Sequence, residues 1–251
     1  MGFTSLTFLV FFLIVFIIYL FLPPRGRVFW LLGASYLFCI SFGVKYAFVL
    51  LVSTLGTWGA GLALERVKHR SFGRWILGGA VLLHVLLLGF FKYDSRNPAL
   101  PVGISFYTFQ AIGYLADVRT GRAKAERNVI YFGLFQAFFP KLVQGPIERC
   151  DPLLQQIRSL HTIRLLDLNR IREGGLLLLW GLFQKLMIAD RIAIPVNAVY
   201  LQFGAFGGVE ILLATVLYAF QIYCDFAGYT SMARGLARIC GIELAENFRR
   251  P

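Results

Sequence analysis

The sequence has 251 residues, of which 58% are hydrophobic and only 15% charged, with 25 Phe and a mean hydropathy of +0.68. A soluble chain carries roughly 25% charged and 45–50% apolar residues, so composition excludes an ordinary soluble domain and points to a polytopic membrane protein. A formal net charge of +12 would signal nucleic acid in a soluble protein. Here the cations sit in short loops between apolar runs, where they report topology, and no nucleic-acid partner is expected.

Cys39, Cys150, Cys224 and Cys240 form no CxxC or Cys/His cluster, so neither a disulfide framework nor a metal site is expected. The N-terminal apolar run is too long for a signal peptide and lacks a basic n-region, so it should be retained. Leu6 stands where myristoylation needs Ser or Thr.

In chain order, Leu6 to Leu22 is the first apolar run, ended by Pro23-Pro24. Val28 to Phe42 and Val44 to Leu64 follow, the latter with Gly56, Gly59 and Gly61 spaced for close helix approach. Trp75 to Phe91 is the fourth run, then the polar KYDSRNP. Val102 to Ala116 is a less hydrophobic fifth. Val129 to Gly145 is broken near its end by Pro140 and Lys141 and stopped by Gly145-Pro146. Proline removes a backbone donor, and in lipid freed backbone groups persist only where protein or trapped water satisfies them. That segment should therefore be buried inside a larger body. Residues 146–172 interleave Arg with Leu and Ile, as in amphipathic surface helices. Gly174 to Ala189 is apolar, Asp190 to Gly208 reads as a linker, Val209 to Cys224 is apolar, and Gly228 to Gly241 is a polar helix candidate.

Placing residues 23–27, 65–74, 117–128, 146–172 and 227–251 on the cytoplasmic side gathers nineteen of the 25 Lys and Arg there, which puts the N-terminus outside. Val129 to Gly145 would then join two cytoplasmic loops, so parity predicts a re-entrant hairpin bent near Pro140. The alternative is a full crossing with 146–172 outside. The expected fold is an all-α polytopic membrane protein of about six crossing helices, a re-entrant hairpin and cytoplasmic amphipathic helices, all in one membrane domain.

Intramembrane polar residues default to functional hypotheses: Gln110, Asp117, Gln136, Lys141, Gln144, Lys185, Gln221 and Asp225. Interhelical hydrogen bonding or snorkelling is the plainer job for most of them. His84 has no second His, Cys or carboxylate at helical spacing and reads as structural. His69 and His161 read as solvated loop residues.

PVGISFYTFQAIGYLADVRTG (101–121), FFPKLVQGPIER (138–149) and YCDFAGYTSMARGLARICGIELAENFRRP (223–251) resemble, in the same order, the membrane-bound O-acyltransferase family, in its bacterial branch of alginate O-acetyltransferases and their cell-surface polysaccharide relatives. The resemblance implies an inner-membrane enzyme moving an acyl group from a thioester, acetyl-CoA or an acyl carrier, to a hydroxyl, with no tightly bound cofactor and with polysaccharide-modifying partners outside. A tunnel histidine would act as general base. The family places it after the element that Asn247 begins, so it is expected beyond Pro251, and the 251 residues alone should be inactive. The positions carried over are tunnel-lining candidates: Lys141, Gln144, Gly145 and Pro146 in the broken helix, Tyr223, Asp225, Gly228 and Tyr229 in YxDFxGY, and Asn247. A D-alanyl-transferring branch using a carrier protein, a transporter and a non-catalytic scaffold are the alternatives.

Overall fold

In the computed structural model, residues 2–67, 72–93 and 101–247 are described, and within them every regular element is helical. Ser5 caps α1 (Leu6–Phe21) by accepting from the Phe8 amide at 3.2 Å, and the two prolines close it. Then come α2 (Arg27–Ile40), α3 (Val44–Arg66), α4 (Phe72–Tyr93) and α5 (Ile104–Thr120). Next are α6 (Val129–Ala137), the single turn α7 (Phe139–Leu142) and α8 (Cys150–Ser159). Asp167 caps α9 (Leu168–Leu182), which runs through a π-helical stretch, Phe183–Ala189, into α10 (Asp190–Leu201). α11 (Gly208–Ile239) is last. By length and composition α3, α4 and α11 can cross a bilayer, and α1 is a shorter apolar helix. The fold is that of an all-α membrane protein. On α4 only Gly73 and His84 are buried, as suits a helix facing lipid.

The five basic segments meet at one end of the bundle. Arg27 donates to the carbonyls of Leu160 and Ile163 at 2.9 and 2.8 Å. Glu65 accepts from the Ala125 amide at 3.2 Å, Gly73 lies against Arg119, Arg158 pairs with Glu126, and the Gln156 amide binds the N–H and C=O of Glu243 at 2.7 and 3.0 Å. Between those contacts the chain leaves and returns as α2 with α3, α4 with α5, and α9–α10 with α11. Val129–Arg149 also starts and finishes there, because Glu126 before α6 and Arg158 at the end of α8 touch. At 1.5 Å per residue α6 covers about 14 Å, under half of a hydrocarbon core. The segment is a hairpin, as charge parity requires. Lys68, His69, Arg70, Asp94–Pro98 and Phe248–Pro251 lie outside the described residues.

Two boundaries differ from the sequence reading. The expected linker 190–208 is helical to Leu201, with Pro195 inside α10. Asp190 pairs with Lys185 of the preceding π-helical stretch at 2.8 Å, and Pro195 removes only one backbone donor. Gly228 to Gly241 is no separate helix but the continuation of α11.

Glycine explains that continuity. A Cβ on Gly181 would lie 2.5 Å from the Gly228 carbonyl oxygen, and one on Gly235 would lie 2.5 Å from that of Gly174. The pairs 174/235 and 181/228, each seven residues apart, let α9 and α11 run antiparallel in backbone contact. In α3 the expectation holds at one position only: Gly61 lies under the Tyr114 hydroxyl, 2.6 Å from where a Cβ would sit, while Gly56 and Gly59 face open space.

Gly235→Ala should therefore lower the melting temperature in detergent, at a cost of about 1–3 kcal/mol, while Gly175→Ala, with nothing within 4 Å, leaves it unchanged or raises it. Cysteines placed at exposed Lys124 and Arg164 should react with an impermeant thiol reagent from the same side; labelling from opposite sides would remove the hairpin.

Candidate functional site

The break in the hairpin falls at Phe138, whose φ of −49° and ψ of 111° leave the helical region. A continuous helix would bond the Phe139 amide to the Phe135 carbonyl. Here the Phe139 N–H donates to Ser35 Oγ at 3.1 Å, and the Phe135 carbonyl accepts from Gln110 Nε2 at 2.8 Å. Gln136 reaches back to the Tyr107 carbonyl, also at 2.8 Å. Both groups freed at the Phe135–Phe139 step are thus satisfied by neighbouring helices. Phe139 anchors the turn among Phe11 and Phe38, with centroids 5.7 and 6.0 Å away.

Lys141 is 3% exposed. Its Nζ donates to Gln110 Oε1 and sits 4.9 Å over the Phe135 ring. Gln110 thus receives the lysine with its oxygen and caps the broken backbone with its nitrogen. Gly103, at a φ of 72°, abuts the Leu142 carbonyl so closely that a Cβ would lie 1.8 Å from the oxygen. Gly145 folds back onto Lys141, where a Cβ would fall 2.3 Å from its Cα. Pro146 lines a narrow crevice with Gln136 and Lys141. Gln144 is half-buried, with no partner for its Oε1. Glu148 accepts from the Ala245 amide at 2.5 Å. Burial pushes its carboxyl above the usual carboxylate range, against the pull of that amide, Lys141 and Arg234.

The other candidates gather at the α9–α11 seam. At the π-helical stretch, Lys185 bridges Asp225 at 2.5 Å and Asp190 at 2.8 Å, with its ammonium 5.9 Å from the Tyr229 ring centre. Such π turns recur at functional sites. Gly228 is the backbone contact with Gly181. Tyr223 and Asn247 line a polar cleft of about 210 Å³. The nine positions therefore form two groups, one in the hairpin and one on the seam, and α7 packs directly against α11. Ser35, Glu148, Thr230 and Arg234 carry no signal of their own in the sequence. Glu148 lies inside a quoted motif, and Thr230 falls seven residues after Tyr223, on its helix face.

His84 is structural, as its isolation in sequence implied: it meets Thr57 at 3.0 Å and the Ala80 carbonyl at 2.8 Å. His161 is exposed and bonds the Arg158 carbonyl at 2.7 Å. Among the described residues no three His, Cys, Asp or Glu side chains could hold a metal ion.

No protein-family model matches the chain. It is 34% identical, over all of its residues and 52% of the relative's, to a probable alginate O-acetylase of Pseudomonas syringae pv. tomato. The chain is a homologue of the alginate O-acetylases. The resemblance to membrane-bound O-acyltransferases read from the three motifs therefore holds along the whole chain. A peptidoglycan O-acetyltransferase of Helicobacter pylori is 27% identical over 88% of the chain and 50% of that protein. A teichoic acid D-alanyltransferase of Streptococcus thermophilus is 29% identical over 74% of the chain and 47% of that protein. The chain spans about half the length of the curated relatives it matches.

Gln110→Leu should strand both Lys141 and the Phe135 carbonyl, and a buried unsatisfied polar group costs about 1–3 kcal/mol. Thermal unfolding in detergent should show that loss, and Lys141→Met should recover part of it in the double variant, since an apolar isostere in place of a buried charge is often neutral or better.

Proposed function

We propose that the chain is part of a membrane-embedded O-acyltransferase that transfers an acyl group, most simply acetyl, from a thioester to a hydroxyl of an exported or cell-surface polysaccharide. The observation that carries this reading is 34% identity to an alginate O-acetylase across every residue of the chain. The buried broken hairpin supports it, since a tunnel wall needs polar groups held rigidly within the membrane. The 251 residues act as one membrane domain in the inner membrane, with the basic end in the cytoplasm and the N-terminus outside. The donor, acetyl-CoA or an acyl carrier protein, approaches the basic end, and polysaccharide-modifying partners act on the other side. Lys141, Gln144, Gly145, Pro146, Tyr223, Asp225, Gly228, Tyr229 and Asn247 shape the tunnel. The general base is a histidine outside the 251 residues, as the resemblance of the closing motif to the acyltransferases implies.

A D-alanyl-transferring activity is the second reading, favoured by the similarity to a teichoic acid D-alanyltransferase, which reaches less of the chain. Deleting the gene and releasing ester-bound groups from the cell-surface polymers with mild base separates the two. Loss of acetate, restored by the wild-type gene, is the expected outcome. Loss of D-alanine instead selects the second reading, and loss of neither overturns both.

A further inference from the structure

α8 turns Leu153, Leu154 and Ile157 into the protein core, so its apolar face is not open to lipid. The segment that follows behaves differently. Leu166 and Leu168 are 67% and 79% exposed, and Phe21, at the end of α1, is 85% exposed.

These residues belong to one corner of the bundle. Arg27 ties the start of α2 to the carbonyls of Leu160 and Ile163. Arg170 donates to the carbonyls of Arg164 and Leu165, each at 2.8 Å. Tyr19 reaches the Cys240 carbonyl at 3.1 Å, and Ile163 and Arg170 both lie against Gly241. The end of α1, the start of α2, residues 160–168 and the end of α11 therefore converge.

The corner carries cations without counter-charges. Arg27 and Arg170 commit their forks to carbonyls, which leaves both charges uncompensated. Arg25, Arg164 and Arg172 are exposed and enter no ion pair among the described residues. The nearby carboxylates are engaged elsewhere. Asp167 caps α9, while Glu173 and Glu243 face Arg238. Phe21 closes an apolar membrane helix, which sets the corner at the bilayer surface. Exposed leucine and phenylalanine beside unpaired arginine compose an interfacial anchor, and basic groups at that level are attracted to anionic leaflets. An acidic protein would match the arginines alone. A bilayer matches the arginines and the apolar side chains together.

We propose that this corner binds the headgroups of anionic phospholipids, with Arg25 and Arg164 on the phosphates and Leu166, Leu168 and Phe21 set into the acyl boundary. The surface requires only that the fold is embedded in a membrane and is independent of the acyl transfer proposed above.

The four cysteines are buried, so a bimane fluorophore can be placed selectively at Leu166→Cys. The full-length protein without that substitution, carried through the same labelling, gives the background. In phosphatidylcholine nanodiscs, phosphatidylglycerol bearing a doxyl group near its headgroup should quench the fluorophore several-fold more than equally labelled phosphatidylcholine at the same mole fraction. Raising the salt from about 0.1 M to about 1 M shortens the screening length from about 10 Å to about 3 Å and should remove most of that excess. Arg25→Gln with Arg164→Gln should bring quenching by phosphatidylglycerol down to the phosphatidylcholine level. Quenching by phosphatidylcholine, unchanged in that variant, shows that the loop still meets the bilayer. Arg122→Gln, which removes an exposed arginine paired with Asp117 at 3.4 Å, should leave the excess intact. Equal quenching by the two lipids at low salt overturns the proposal. So does quenching by neither, which would leave the loop in water and open to an acidic protein. An excess lost as fully with Arg122→Gln as with the pair also overturns it, since diffuse charge rather than this corner would then attract the lipid.

Discussion

The structure depends on satisfying a backbone that has been broken where water cannot reach it. Interrupting a helix at Phe138 frees an amide and a carbonyl, each costly to leave bare in an apolar interior. Ser35 on α2 and Gln110 on α5 take those two groups. The neighbours are therefore committed to positions that serve the break, and α5 cannot slide without exposing Phe135. Lys141 shares Gln110 with that carbonyl, so the buried cation and the broken backbone are held by one amide. Such a network fixes a single arrangement because each member is needed by the next.

Around this anchor the molecule uses two different packing devices. Phenylalanines from α1 and α2 enclose the hairpin turn, filling space by bulk. The α9–α11 seam does the opposite, removing side chains so that backbones touch. The π-helical stretch begins two residues after Gly181, and Lys185 within it meets both Asp190 and Asp225. Lys185 is thus held between two carboxylates, where an unpaired ammonium within the membrane would be strongly unfavourable.

Much of this was legible in the residues. Loop charge grouped the five basic segments before any contact was known, and the pairs Arg27 with Leu160 and Glu126 with Arg158 express that grouping. Pro140 marked the hairpin because proline acts locally. The isolation of His84 gave its role for the same reason. What escaped depends on partners far away in sequence. Nothing around Ser35 says that it meets residue 139, and Gly174 and Gly181 resemble Gly175 until α11 is laid beside them. All of α10 reads as linker in the sequence because the aromatics and glycines of 200–208 look like one, whereas the helix is sustained by packing on α11.

The Tyr19 hydroxyl donates to the Cys240 carbonyl at 3.1 Å across 221 residues. A contact of such separation forms only after the intervening loop entropy has been overcome, and during synthesis its acceptor emerges long after its donor. Tyr19, made well before Cys240, must therefore be provisionally accommodated in the membrane until α11 arrives. That bond closes after the contacts of α1 with Trp30 and Phe139 have become possible.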